Sequence, residues 1–327
     1  MEQIRMGTGF YARTRAAGLF ISAALACQSM QPSANAQGLG NDLLYVGDAA
    51  DSTIKSFNAQ GGFLRQSSGD NLNGPNGLLI AGPEIIVVNQ NFGTENGEIL
   101  QYQLKDLSFT DPWVSKINAD TATNPDAPFA PRGAVINNGV LYVADFVKDG
   151  VKGTPGAVRV YAGDGSLLGK LTPPADPFLN LANKFRPRGL VVGPDGLLYV
   201  SSDPNFAHGT GGGLGKPTTG GQVLRFDPNT LKFIDVFIDD TGGVGHLNRP
   251  EGLVFDPNGK KLYITSFCDL ASECPKASNT DSIRVYDATK RNTFLGQITL
   301  DQGSRAFAQA LLFGPGGYLF VPMSNTG

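Results

Sequence analysis

Arg186-Pro187-Arg188-Gly189-Leu190-Val191-Val192-Gly193-Pro194-Asp195-Gly196-Leu197-Leu198-Tyr199-Val200 holds two short β-rich runs split by a Gly-Pro-Asp-Gly turn. Val, Leu and Tyr suit a pleated surface, whereas Pro and Gly stop helices and close tight turns. The first half of the phrase recurs as Gly74-Pro75-Asn76-Gly77-Leu78, Ala130-Pro131-Arg132-Gly133-Ala134 and Arg249-Pro250-Glu251-Gly252-Leu253, with a decayed copy at Ala308-Gln309-Ala310-Leu311. The copies lie roughly 60 residues apart, so the chain is an internal repeat.

Each copy is followed by the same series of runs. The second is Ile86-Val87-Val88, Leu141-Tyr142-Val143, Leu198-Tyr199-Val200, Leu262-Tyr263-Ile264 or Leu319-Phe320-Val321, with an extra copy at Leu44-Tyr45-Val46. The third ends on an aromatic: Phe57, Tyr102, Tyr161, Phe226, Tyr286. The fourth is a short apolar run such as Phe233-Ile234-Asp235-Val236. Four strands per unit, repeated around an axis, is a β-propeller. A β-sandwich would lack this four-phase self-similarity, and β-helix coils are much shorter. The expected fold is all-β, four-stranded blades, six in number with the last incomplete, or alternatively five.

Composition agrees. The chain has 43 Gly and 21 Pro among 327 residues, about one helix breaker in every five positions against an average nearer one in eight. That excludes bundles and coiled coils. A hydrophobic content of 41% with 20 Phe and 9 Tyr is enough for a packed core and argues against disorder.

Residues 1–36 read as a secretory signal and 37–327 as one propeller domain. Arg5, Arg13 and Arg15 precede an apolar run from Ala16 to Ala26, and Ala34-Asn35-Ala36 supplies a cleavage site. The run is too short to span a bilayer, and no later one is long enough. The chain is therefore expected to be exported, periplasmic or extracellular. Ala24-Leu25-Ala26-Cys27 offers the alternative of a lipid anchor on Cys27. Cys268 and Cys274, the remaining cysteines, are expected to form a disulfide in that compartment. Net charge is −3, and losing the leader makes the chain more acidic, which argues against nucleic acid. A monomer is expected.

The Pro-x-Gly-Leu and Gly-Pro-Asp-Gly-x-Leu-Tyr-Val phrases, over about residues 42–324, resemble the NHL-repeat and senescence-marker/gluconolactonase-like propellers of the six-bladed TolB-like class. That resemblance implies the fold but not one activity, since the class is reported to hold lactonases, lyases, synthases and binding modules. Among gluconolactonase-like propellers it implies a divalent metal, calcium among the choices. Asn76 and Glu251 match such ligand positions; Arg132 and Arg188 do not.

In an up-and-down meander the long connections 118–130, 145–156, 172–187, 202–221, 239–249 and 266–281 all fall on one face. Long loops on a rigid scaffold commonly carry function. The residue between Pro and Gly starts each innermost strand on that face, at the channel mouth: Asn76, Arg132, Arg188, Glu251 and, in the decayed copy, Gln309. Asn89, Asp145, Ser202 and Ser266 end the second strands nearby. This ring, Asp145 included, is the candidate ligand site, since Arg132 and Arg188 can hold a carboxylate bidentately.

Catalytic signals are sparse. Glu251 with His246 is the one acid–base candidate; His208, the other histidine, lies alone in a loop. Gly209 to Pro217 fails as a phosphate loop because Lys216 precedes a proline. Two readings follow. The first is an exported propeller without clear catalytic machinery that binds a small anionic ligand, a glycan or a protein through its long-loop face. The second is a metal-dependent lactonase-type hydrolase or lyase using Glu251, with Asn76 at the metal.

Overall fold

Each repeat folds as one antiparallel meander, because its β-rich runs are separated by turns too short for anything else. In the computed structural model the described residues are 23–27, 44–58, 61–69, 71–91, 97–112, 126–146, 155–175, 181–203, 221–239, 247–267, 281–300, 306–314 and 317–323. Blade one contains β1 (Ala23–Cys27), β2 (Leu44–Asp48), β3 (Thr53–Phe57) and β4 (Phe63–Gln66). Blade two contains β5 (Pro75–Ala81), β6 (Glu84–Asn89), β7 (Glu98–Gln103) and β8 (Phe109–Pro112). Blade three contains β9 (Pro131–Asn137), β10 (Val140–Asp145), β11 (Ala157–Tyr161) and β12 (Leu167–Leu171). A short helix, α1 (Leu181–Lys184), leads into blade four: β13 (Pro187–Val192), β14 (Leu198–Ser202), β15 (Gln222–Asp227) and β16 (Lys232–Asp239). Blade five contains β17 (Pro250–Phe255), β18 (Lys261–Ser266), β19 (Ser282–Asp287) and β20 (Phe294–Thr299). Strand order within every blade follows chain order.

Among the described residues the four-stranded blades thus number five, the alternative count. The last two strands, β21 (Leu312–Phe313) and β22 (Leu319–Phe320), form a two-stranded sheet. Inner strands β1, β5, β9, β13 and β17 pack side by side in that order, and β21 touches both β17 and β1. The ring of inner strands is therefore closed, and its axis is the channel. Residues 23–27, inside the segment expected to be removed as a signal, are seated here against β2, from Ala23 opposite Asp48 to Cys27 opposite Leu44.

Hydrophobic packing lies mainly between blades. Blades one and two share Tyr45, Ile54, Leu78, Val87, Leu100 and Tyr102. Blades three and four share Tyr142, Val160, Phe185, Leu198, Leu224 and Phe226. Tyr263, Ile283 and Leu311 pack with Phe313 and Leu319 between blade five and the two-stranded sheet. Each such buried side chain is worth roughly 1.5–3 kcal/mol. The aromatic near the end of the third strand meets an aromatic at the start of the fourth edge-on in four blades: Phe57–Phe63, Tyr102–Phe109, Phe226–Phe233 and Tyr286–Phe294, at 5.5–5.9 Å. The lower turns close as the sequence demands. Gly196 donates to the Gly193 carbonyl at 2.9 Å and Gly259 to that of Asp256 at 2.8 Å, with φ of 78° and 66°, where a side chain would be strained.

Candidate functional site

The Pro-x-Gly phrase has a physical cause at the axis. Pairing of the first and second strands slips at this point in four blades: between Pro75 and Gly77, opposite Val143–Asp145 in blade three, between Pro187 and Leu190, and between Pro250 and Leu253. A β-bulge re-aims the residue it contains. Here it sets Asn76, Arg132, Arg188 and Glu251 around the mouth of the channel. The glycine that follows packs on the carbonyl of the equivalent residue one blade on. A Cβ on Gly77 would lie 3.0 Å from the Arg132 carbonyl oxygen, one on Gly133 2.6 Å from that of Arg188, and one on Gly252 2.8 Å from that of Gln309; Gly189 abuts that of Glu251 more closely still. Ser201 stitches the last contact, accepting from the Gly189 amide at 2.8 Å and donating to the Glu251 carbonyl at 2.6 Å.

A cavity of about 110 Å³ results. Its wall has three levels: the polar residues Asn76, Arg132, Arg188, Glu251 and Gln309; then Gly77, Gly133, Gly189, Gly252 and Ala310; then Leu78, Ala134, Leu190, Leu253 and Leu311. The five residues expected at the mouth are thus brought together. Asp145 is not among the lining residues. Its carboxylate accepts from the amides of Phe129 and Ala130, at 3.1 and 2.7 Å, and from Arg159 Nε at 2.6 Å. Burial pushes the Asp145 carboxyl up, against the pull of Arg159 and the two amides. Asn89, Ser202 and Ser266 do the same work in their blades, accepting from the amides of Asn73, Arg186 and Asn248 at 2.8–3.0 Å. These second-strand ends hold the loop that enters each inner strand. Their side chains are taken by the backbone, which is why they are not presented to the channel.

Charge in the cavity is unevenly paired. Arg188, 1% exposed, binds Glu251 through Nη1 and approaches Asp203 through Nη2 at 3.4 Å. Arg249 Nε lies 3.6 Å from the same Glu251 oxygen. Arg132 has no ion pair or hydrogen bond to any described residue, and its Nε is buried without a partner. Its guanidinium carbon stands 5.5 Å from the ring centre of Phe146, with that of Arg188 at 4.5 Å from the same ring. Burial first, then Arg188 and Arg249, push Arg132 down to about 9, with Glu251 pulling the other way; it stays a cation at neutral pH. Arg249, Asp203 and Phe146 escaped the sequence reading. Their signal was present, since Arg249 heads its Pro-x-Gly phrase and Asp203 and Phe146 directly follow the second-strand ends, but only the three-dimensional ring gives them partners.

The residues do not fit a divalent ion. Among the described residues no three of His, Cys, Asp or Glu converge. Glu251 is engaged by two guanidinium groups, and Asn76 donates its amide to Gln90 at 3.1 Å. A hard cation needs several oxygen ligands, and guanidinium groups already bound to those oxygens compete with it. His208, His246, Cys268 and Cys274 lie outside the described residues. Among the described residues no helix is long and apolar enough to cross a membrane.

No family model matches the chain, and no curated protein sequence does. Solved structures do. The chain is similar to a candidate gluconolactonase, with a TM-score of 0.55 and 13% identity over 93% of this chain and 86% of that one. It is similar to a luciferin-regenerating enzyme at 0.56 and 12%, over 85% and 78% of the two chains. It is similar to hydrazine synthase of Kuenenia stuttgartiensis at 0.53 and 13%, over 87% and 81%. At such identities the likeness is one of backbone, and it says that this chain has a β-propeller fold.

Proposed function

We propose that this chain is an exported β-propeller that binds a small anionic ligand at the mouth of its channel. The observation that carries the reading is the excess of cation there: Arg132 shares a cavity wall with an Arg188–Glu251 pair and has no ion-pair partner of its own among the described residues. A guanidinium in partly dry surroundings holds an anion far better than the same group in open water. The strand ends that carry the connections β8–β9, β10–β11, β12–β13, β14–β15, β16–β17 and β18–β19 lie on the face where the mouth opens. That is where a rigid scaffold carries recognition of a ligand, glycan or protein partner. The test is calorimetric titration of the purified chain with a panel of small anions. Saturable binding that Arg132→Gln removes supports the reading; no binding by any anion refutes it.

The lactonase-type reading draws on the candidate gluconolactonase that shares the fold. It requires a metal on Asn76 and Glu251, which the arginine pairing of Glu251 opposes. A bound divalent ion in the purified protein together with turnover of a lactone would establish it instead.

A further inference from the structure

Resting on the anion-binding reading, the geometry points to a monocarboxylate of two or three carbons as the ligand of this cavity. Its carboxylate sits on Arg132, and its carbon chain runs past the glycine level toward the leucine side chains beneath. Four observations converge on this class. The first is the partner. A guanidinium presents a planar fork of N–H donors that matches the two oxygens of a carboxylate. Arg132 is the guanidinium of the cavity wall that has no described acceptor, whereas Arg188 is already bound to Glu251 and Asp203.

The second is charge. The Glu251 carboxylate stands in the same wall and is 5% exposed. It repels a second negative group on the ligand, so a monoanion is accepted and a dicarboxylate or sulfate is disfavoured. The third is size. A cavity of about 110 Å³ compares with the engineered apolar cavity of about 150 Å³ that holds one benzene in another protein. By that scale it takes about four or five non-hydrogen atoms. Acetate and propionate fill it; a sugar acid such as gluconate would extend beyond it. The fourth is polarity along the axis. The level beneath the charged ring is lined by Leu78, Ala134, Leu190, Leu253 and Leu311. An aliphatic tail loses water there, and hydroxyl groups would be left without partners.

The experiment is calorimetric titration of the full chain with acetate, propionate, hexanoate, gluconate and sulfate. Wild-type protein, Arg132→Gln, Arg132→Lys and a lower-face control, Lys290→Gln, are compared at equal ionic strength. Expected are propionate and acetate binding to wild type and Lys290→Gln, at least tenfold weaker binding to Arg132→Gln, and an intermediate loss in Arg132→Lys. Binding of hexanoate, gluconate or sulfate in preference to propionate would overturn the ligand class while leaving an anion site in place. Propionate binding that survives both Arg132 changes would overturn the role of Arg132. Absence of binding by all five overturns the inference and the underlying reading together. If Arg132→Gln fails to fold, the order of the five anions on wild type and the Arg132→Lys loss decide the matter.

Discussion

Gly189 on blade four rests directly on the carbonyl oxygen of Glu251 on blade five, leaving no room for a methyl group between the two inner strands. The same contact recurs around the axis, and it makes the glycine of each Pro-x-Gly phrase the spacer that brings the polar residues within reach of one another. Gly189→Ala is therefore expected to destabilise the chain by about 1–3 kcal/mol through overpacking. Gly82→Ala, at a turn with open space but φ of 60°, is expected to cost about 1 kcal/mol of backbone strain. Urea denaturation of the two variants measures the difference, and equal costs would count against the spacer role.

Arg159 and Asp145 are 2% exposed each, and their charges meet at 2.6 Å. Arg159→Met leaves Asp145 charged in an apolar setting and is expected to cost about 3–5 kcal/mol. Asp145→Asn keeps an acceptor for the loop amides and is expected to cost less. Equilibrium unfolding of both variants is the check.

Four exposed turn carboxylates, Asp106, Asp164, Asp227 and Asp287, are held below the usual range first by hydroxyl donors, those of Ser108, Ser166, Thr230 and Thr289, and then by backbone amides. A carboxyl whose folded pKa lies below its unfolded one adds stability above the unfolded value of about 3.9, and loses it as pH falls through the folded value. The midpoint of thermal unfolding is expected to hold from neutral pH to about 4 and fall below it. Asp164→Asn with Asp287→Asn should make that fall shallower.

Arg132 is a cation across neutral pH even when pushed down to about 9. Affinity for a small carboxylate is accordingly expected to be flat between about pH 6 and 8, because the fully ionised ligand and Arg132 both keep their charge. Titration calorimetry at three pH values checks this, and a steep dependence in that window would place the binding charge elsewhere. Adding a chelator is expected to leave affinity unchanged, since the proposed site holds the carboxylate on Arg132.

Legibility varied with the range of the interaction concerned. The four-strand repeat was readable because alternation and turn chemistry are local, and Pro-x-Gly marked the axis because the bulge and the close glycine contact recur in each copy. The blade count stayed open between six with an incomplete last blade and five, and the structure has five four-stranded blades with the β21–β22 pair beside them among the described residues. Counting runs along the chain does not say that Ala23–Cys27 can pair with β2, or that β21 and β22 form a sheet by themselves; both depend on neighbours distant in sequence. Asp145 looked like a mouth residue because it ends a second strand, yet Phe129 and Ala130 claim its carboxylate. That competition is visible only once the loop is folded against the strand end.

The amino-acid sequence by itself determined the strands of blades two to five, their turns, the repetition and the five residues that ring the channel mouth, through a pattern that recurs in each repeat. The tertiary structure alone decided how those residues divide their charges. Arg188 and Glu251 come from different blades, and only the packing of β13 against β17 brings them together. Arg132 is left beside the pair with its charge uncompensated, because pairing across blades depends on which side chains the closed ring sets face to face.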